Sequence, residues 1–465
     1  MAANPGNSPI GEKHVKAFKA YDIRGIYGKD FDGQVVYRIG YFLPGLLEAG
    51  KILVGYDCRE SSEDVFNHLV SGINDSGATV YSIGYATTPM VYFATASHGF
   101  GASVQITASH NPKEYNGLKI SRSGAIPVGY DTGLSRLEKM VETGDIQPSV
   151  LKGDVEKITG IKEEYVSFLD KFRGDWSNLK IGIDCSNGMV SMLARDLFGN
   201  DPEYLYDWMD GTFPNHPPNP LDERNTADLK GLVTTRNLDV GVIFDGDGDR
   251  VMFVDEKGRF VRPDLITAVL GIHFLKDKKG VVLHDIRTSR GVIEFIKKLG
   301  GKPFMWKVGH SHAKMKMREL NARYGGELAG HYYFSDFFNC DSGLLAAILV
   351  LNILSDRKKE GNTFSSLIDS ISTYSNSGEL NFRIDNKEAA MNSIRDYFTD
   401  RERPEAYYDF DGYRVEFPDW WFNVRPSNTE PFLRLVTEAA SDELLKRKLK
   451  KIRELIGKAG GYEKS

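Results

Sequence analysis

The stretch ILVGYDCRESS, residues 52–62, is an apolar run that stops at an aspartate and gives way to a polar turn. The residues after it, to about Gly77, carry the periodicity of an amphipathic helix. The same plan returns in KIGIDCSNG, residues 180–188, with a helix expected to about Gly199, and in VVLHDIRTSRG, residues 281–291, with one to about Gly300. The three aspartates are Asp57, Asp184 and Asp285. Strands alternating with helices at these lengths predict α/β units around mixed or parallel sheets, and three related domains.

The C-terminal part is built differently. It predicts a strand near 379–384, a helix near 387–398, an aromatic hairpin, a strand at FLRLVTEA and a basic helix over 442–458, which together make an α+β module. Boundaries fall at 1–155, 156–260, 261–375 and 376–465, where the flanks are polar or glycine-rich.

A chain of 465 residues with 41% hydrophobic content is too long for one core and too apolar for disorder. Its 59 basic and 64 acidic residues leave a net charge of -5, which argues against a nucleic-acid or anionic-membrane surface. An anionic substrate therefore needs a locally basic pocket. Cys58, Cys185 and Cys340 match no metal-ligand spacing and predict a reducing compartment. The N-terminal residues lack the apolar core of a signal peptide, and the apolar run near 344–354 is too short for a bilayer, so a cytoplasmic protein is expected.

Within this frame, Ala102, Val104 and Ile106 alternate with Ser103 and Gln105 as in a half-buried strand, and TASHNP, residues 107–112, then forces a turn. The hydroxyl of Ser109 is expected at a strand end, pointing into open space. Beside His110 it is either a nucleophile with its base or a solvated loop pair. Lys119, in NGLKI, returns on the neighbouring strand toward the same site. Arg24, in a loop bracketed by Gly25 and Gly28, either clamps a phosphate or makes a surface salt bridge.

The strongest chemical signal is DGDGDR, residues 245–250. Asp245, Asp247 and Asp249 would diverge on a straight strand, but Gly246 and Gly248 let the backbone curl so that the carboxylates converge. Hard oxygen ligands suit Mg²⁺ or Ca²⁺. An EF-hand loop is the competing reading, with Glu256 at its twelfth position. Arg250 stands where that loop needs glycine, however, and the flanks read as strands, which favours Mg²⁺; an acidic structural turn is the third reading.

GELAGH, residues 326–331, sets Glu327 and His331 four apart between glycines, a carboxylate for sugar hydroxyls and an imidazole for proton transfer, or a surface feature. His310, in KVGHS, carries the same pair of readings. RPSNTE, residues 425–430, followed by Arg434, gathers a guanidinium, hydroxyls, an amide and turn N–H groups, the donor set for a tetrahedral dianion or a self-capping turn.

Six motifs in this order, AYDIRG, TASHNP, NGLKI, DGDGDR, GELAGH and RPSNTEP, resemble the α-D-phosphohexomutase superfamily, and Asn428 resembles its phosphomannomutase/phosphoglucomutase branch more than the phosphoglucosamine branch. The resemblance implies a heart-shaped, four-domain α/β protein with one motif per domain around a central cleft. It implies an isomerase that interconverts hexose 1-phosphate and 6-phosphate through a phosphoserine at Ser109 and a hexose 1,6-bisphosphate. Mg²⁺ would be held by Ser109, Asp245, Asp247 and Asp249. Arg24, His110, Lys119, Arg250 and His331 would surround the transferring phosphate. Arg425, Ser427, Asn428 and Thr429, with Arg434 nearby, would hold the other phosphate, and Glu327 would read the sugar. Two positions depart from the pattern: Ala329 stands where a hydroxyl residue is common and Arg287 where lysine is expected, which bears on sugar preference. The alternatives are a phosphoglucosamine mutase, a phosphoserine-dependent sugar phosphatase and a catalytically silent sugar-phosphate sensor. The oligomeric state, monomer or dimer, is left open.

Overall fold

The computed structural model describes residues 16–427 and 432–464. Three of its four sheets are built on one plan. In the first, strand Lys51–Tyr56 runs parallel to Thr79–Tyr85 on one side and to Ala102–Ile106 on the other, and Ala102–Ile106 turns back antiparallel into Tyr115–Arg122. In the second, Ile181–Asp184 lies between Glu203–Leu205 and Val240–Phe244, both parallel, and Val240–Phe244 turns back into Val251–Asp255. In the third, Val281–Asp285 lies between Lys302–Trp306 and Tyr324–Gly326, both parallel, and Tyr324–Gly326 turns back into Tyr332–Phe334. The sheets are therefore mixed, with the expected internal repeat.

Each first strand is flanked by parallel neighbours and covered on its faces, which is why it reads as an unbroken apolar run. At its end the aspartate accepts the main-chain N–H two residues on: Arg59 N from Asp57 at 3.1 Å, Ser186 N from Asp184 at 2.8 Å and Arg287 N from Asp285 at 2.7 Å. This shared turn ends the strand and starts the next segment. The following helices are Ser62–Asp75 and Arg290–Lys298, but in the second repeat the expected helix is a 3₁₀ turn, Met189–Met192, and a short helix, Ala194–Phe198. Met189 N bonds the carbonyl of Gly246 at 2.8 Å, so the neighbouring loop shapes the backbone there.

The fourth sheet is antiparallel, in the order Ala406–Tyr408, Tyr413–Phe417, Trp420–Pro426, Phe432–Ala439, Leu380–Arg383 and Tyr462–Glu463. Helices Lys387–Thr399 and Asp442–Lys458 cover one face, with the core drawn from Phe398, Trp420, Phe422, Leu449 and Ile452. The junctions expected at residues 155, 260 and 375 each touch a short strand: Val155–Lys157, Phe260–Val261 and Ser375–Asn376.

The apolar run near 344–354 forms helix Gly343–Lys359, capped by the Ser342 hydroxyl, which accepts from Leu345 N at 3.1 Å. Its residues from Gly343 to Leu351 are buried all round, against helix Pro263–Phe274 and strand Val251–Asp255. The helix thus ties the second sheet to the third and shares one continuous core with helix Thr88–Ser97 of the first. Among the described residues no helix is long and apolar enough to cross a membrane. Leu349→Ala in this helix leaves a cavity between units and is expected to cost about 3 kcal/mol, read as a lower thermal midpoint with helical content retained at room temperature.

Candidate active site

The equivalent hairpin turn of each repeat carries one of the sequence motifs. TASHNP joins Ala102–Ile106 to Tyr115–Arg122, DGDGD joins Val240–Phe244 to Val251–Asp255, and ELAGH joins Tyr324–Gly326 to Tyr332–Phe334. In the fourth sheet the corresponding hairpin joins Trp420–Pro426 to Phe432–Ala439; Asn428 and Thr429 lie outside the described residues. Flanking segments of DGDGD are strands rather than helices, and Glu256 accepts Ser365 N at 3.0 Å, so the EF-hand reading does not apply.

Ser109 is fully buried, contrary to the expectation of an exposed hydroxyl. Its φ of 52° is left-handed, an uncommon state for a residue with a Cβ, and its Oγ donates to Asp245 Oδ2 at 2.7 Å. The ring of His110 is adjacent, Nδ1 3.4 Å from Oγ, and burial, then Arg250, Arg24 and Lys119, holds that imidazole well below its usual pKa. The two glycines of DGDGD serve different ends. Gly248 supplies the positive φ, 76°, that turns the chain, whereas Gly246 lets the loop approach Ser109: a Cβ there would stand 2.6 Å from the Ser109 carbonyl oxygen.

Asp245, Asp247 and Asp249 are fully buried, and each offers a carboxylate oxygen within 4.8 Å of the others. Lys119, on the strand paired with Ala102–Ile106, places Nζ 2.6 Å from Asp247 Oδ2 and also bonds Asp249 Oδ2. Burial pushes the Lys119 ammonium down, yet the two aspartates hold it above its usual pKa. Burial and the neighbouring Asp247 and Asp249 push the Asp245 carboxyl well up, whereas that of Asp249, which burial would also raise, is held down by Lys119 and His331. Among the described residues Asp247 Oδ1 and Asp249 Oδ1 are buried with no hydrogen-bond partner. Hard oxygens converging and unsatisfied are what a divalent cation fits.

The remaining predicted residues gather round this centre. Arg24 lies on strand Ile23–Ile26 rather than in a loop, paired with Asp22, and donates to Asn111 Oδ1 at 2.9 Å. Arg250 Nε is 3.7 Å from both Asp245 Oδ2 and Asp249 Oδ1. The backbones of Arg250 and His331 form a bridge, and His331 Nδ1 is 2.6 Å from Asp341 Oδ2. His310 opens helix His310–Leu320 with its ring centroid 5.8 Å from that of His331. Among the described residues Arg24 Nε and Arg250 Nε are buried donors with no hydrogen-bond partner, and both arginines lie beside the acidic loop, a donor set that fits an anion next to the cation.

Glu327 is almost fully buried, and its two oxygens already accept from Gly309 N at 2.7 Å and from the Tyr333 hydroxyl, leaving the remaining lone pairs for a ligand. Arg287 is buried between Asp285 and Glu379, with Nη1 2.9 Å from Glu379 Oε2. Ala329 sits half-buried in the turn beside Leu328, whose N–H donates to Asp285 at 2.8 Å. Arg425 is buried beside Glu379, and Arg434 bonds that carboxylate at 3.1 Å; the main-chain N–H of Ser427 bonds the carbonyl of Phe432 at 2.8 Å.

Sequence reasoning missed the residues that hold the loops. Arg59 donates to the carbonyls of Ser109, Asn111, Pro112 and Tyr115 at 2.6 to 3.1 Å, fixing the whole TASHNP turn. The signal was present, since Asp57-Cys58-Arg59 repeats as Asp285-Ile286-Arg287. Thr88, whose hydroxyl bonds Asp247, and the fully buried Lys314, 2.7 Å from Asp341, left no such pattern. Gly246→Ala should force the acidic loop away from Ser109. A fall of about a hundredfold in kcat is expected for a displacement near 1 Å, with KM changed little, and steady-state kinetics with a thermal melt checks it.

Comparison with known proteins covers the whole length. Models of the phosphoglucomutase/phosphomannomutase family match in order: alpha/beta/alpha domain I at residues 15–147, domain II at 160–258, domain III at 262–374 and the C-terminal domain at 379–455. A phosphomannomutase of Methanocaldococcus jannaschii is 36% identical over 450 residues, 96% of this chain and 98% of that protein. One from Escherichia coli K12 is 35% identical over 444 residues, 92% of this chain and 96% of that protein. The crystal structure of a phosphoglucomutase/phosphomannomutase family protein from Burkholderia thailandensis superposes with a TM-score of 0.84 at 29% identity, covering 96% of this chain and 98% of that one.

Proposed function

The chain belongs to the phosphoglucomutase/phosphomannomutase family and is a hexose phosphate mutase, an isomerase, and from that premise we propose that it interconverts the 1- and 6-phosphates of a hexose, mannose and/or glucose, through a phosphorylated Ser109 and a hexose 1,6-bisphosphate. The observation that carries the reading is the buried meeting of the Ser109 hydroxyl with three carboxylates, Lys119 and unpartnered arginine donors. A solvated serine loop would need none of these.

In this reading Asp245, Asp247 and Asp249, with Ser109, hold Mg²⁺, which supplies neutralising charge for a phosphoryl group when bound. Arg24, Arg250 and Lys119 orient the transferring phosphate and offset its negative charge in a site closed to water. His110 and His331 are the candidates for carrying the proton of the accepting hydroxyl; each touches the cluster, His110 through Ser109 and His331 3.7 Å from Asp249. Balance requires that Ser109 donate its phosphoryl group to the free hydroxyl of a hexose monophosphate and regain one from the other end of the bisphosphate. A dedicated hold on a second phosphate, at Arg425 and Arg434, favours a mutase over the phosphatase alternative. Glu327 reads sugar hydroxyls, and Arg425, Ser427, Asn428, Thr429 and Arg434 hold the phosphate that is not being transferred, with Arg287 and His310 completing the substrate side.

Intact-mass analysis of the purified enzyme should show one phosphate, located on Ser109 by peptide mapping, and Ser109→Ala should lose at least about 10³-fold in kcat. Full activity in that variant would overturn the covalent route. Loss of a bidentate guanidinium removes binding in both orientations, so Arg425→Ala should raise KM for 1-phosphate and 6-phosphate substrates alike, by about tenfold or more, while Ser109 still takes phosphate. KM values near wild type for both would remove the C-terminal hairpin from the phosphate site.

A further inference from the structure

Arg425 and Arg434 are direct cross-strand neighbours in the fourth sheet. Like charges placed opposite one another repel, and burial of Arg425 makes the repulsion costly. Asp411 acts on Arg425 at longer range, and among the described residues Glu379, the residue before strand Leu380–Arg383, is the carboxylate that pairs with both arginines. Its Oε1 lies 3.1 Å from Arg434 Nη1, and its Oε2 lies 2.9 Å from Arg287 Nη1 and 3.5 Å from Arg425 Nη2. One carboxylate therefore bridges two arginines of the C-terminal sheet and one of the third sheet, at the start of the C-terminal domain match. Burial alone would raise its pKa, but Arg287, Arg434 and Arg425 bring it down to about 2, so it is ionised at any working pH.

We propose that Glu379 is a positioning residue that sets how tightly the non-transferring phosphate is held, by competing with it for Arg425 and Arg434, and so sets how readily the bisphosphate is let go to turn round. The inference rests on the reading of Arg425 and Arg434 as phosphate ligands. A phosphate dianion carries more charge than a carboxylate and accepts more N–H bonds, including one from Arg425 Nε, which is buried and has no partner among the described residues. It can displace Glu379 from the two arginines, leaving that carboxylate on Arg287. When the phosphate departs, Glu379 returns, and the arginines never face each other without an anion. A mutase needs such an exchange, because each catalytic cycle must release this phosphate once without losing the intermediate to solvent. An arginine pair with no resident competitor would grip the phosphate and stall the turn.

The test compares wild type, Glu379→Gln, Glu379→Asp and Arg425→Ala. Glu379→Gln keeps the shape but removes the competing charge. It is expected to lower KM for both the hexose 1-phosphate and the 6-phosphate by at least about threefold, to lower kcat by a similar factor, and to strengthen inhibition by inorganic phosphate. Rapid-quench transfer from phosphorylated Ser109 to the first sugar phosphate should keep its wild-type rate, because the slowed step is the turn that follows. Glu379→Asp keeps the charge and should restore KM toward wild type, which a packing role would not require. KM unchanged or raised in Glu379→Gln overturns the inference. If in the same experiment Arg425→Ala raises KM, the phosphate reading stands and only the competing role of Glu379 fails; if Arg425→Ala leaves KM unchanged, the phosphate reading itself falls.

Discussion

Three carboxylates held out of water within a few ångströms of one another are the constraint that the rest of this structure answers. Asp245, Asp247 and Asp249 are fully buried, and the desolvation of such a cluster is far larger than any single contact that could stabilise it. Lys119 neutralises part of it, Arg250 a further part at longer range, and the Ser109 and Thr88 hydroxyls satisfy individual oxygens. Among the described residues Asp247 Oδ1 and Asp249 Oδ1 have no hydrogen-bond partner, which is compatible with a divalent cation. Gly246 lets the acidic loop approach the Ser109 carbonyl, Ser109 takes a left-handed conformation there, and the buried Arg59 holds the carbonyls of the serine turn.

One repeated piece of topology makes the convergence feasible. In each α/β unit the motif occupies the hairpin that follows the second parallel contact of the central strand, next to the aspartate that ends that strand. A loop in this position leaves the end of a rigid sheet, where packed strands fix its base and the turn is free to carry unusual conformations. The aspartates diverge in their partners: Asp57 orders Arg59, Asp184 meets His216 at 3.1 Å and Asp285 orders Arg287 and Leu328. The same turn thus supports the serine loop in the first unit and the ELAGH loop in the third.

The C-terminal sheet meets the third unit through charge as well as through the stacked rings of Trp306 and Phe410. Arg287 reaches Glu379, Arg290 donates to the carbonyl of Pro418 at 2.8 Å, and Arg414 donates to the carbonyls of Ile286 and Thr288 at 2.7 and 2.8 Å. Polar joints of this kind exchange partners at lower cost than an interdigitated apolar core.

The sequence determined the architecture and the kind of chemistry. Three apolar strands ending in aspartate and an α+β tail were enough for the four units, because periodicity and turn residues are local properties that survive without tertiary contacts, and the resemblance of six motifs in order implied a hexose phosphate mutase. The strand before Ser109, the acidic loop between two strands and the helices over 387–398 and 442–458 were legible for the same reason. Only the tertiary structure decided that Ser109 is buried rather than exposed, that Arg24 sits on a strand, that the second repeat breaks its helix, that Arg59, Thr88 and Asp341 bond the motif residues, and that Glu379 lies among three arginines. These outcomes depend on charges and main-chain groups distant in the chain meeting in a dry interior. The repeat of Asp57-Cys58-Arg59 in Asp285-Ile286-Arg287 marks Arg59 in one dimension but not the four carbonyls it bonds, and a glutamate among three guanidiniums reads like a surface acid. Burial gives each its role, and burial is a property of the assembled fold.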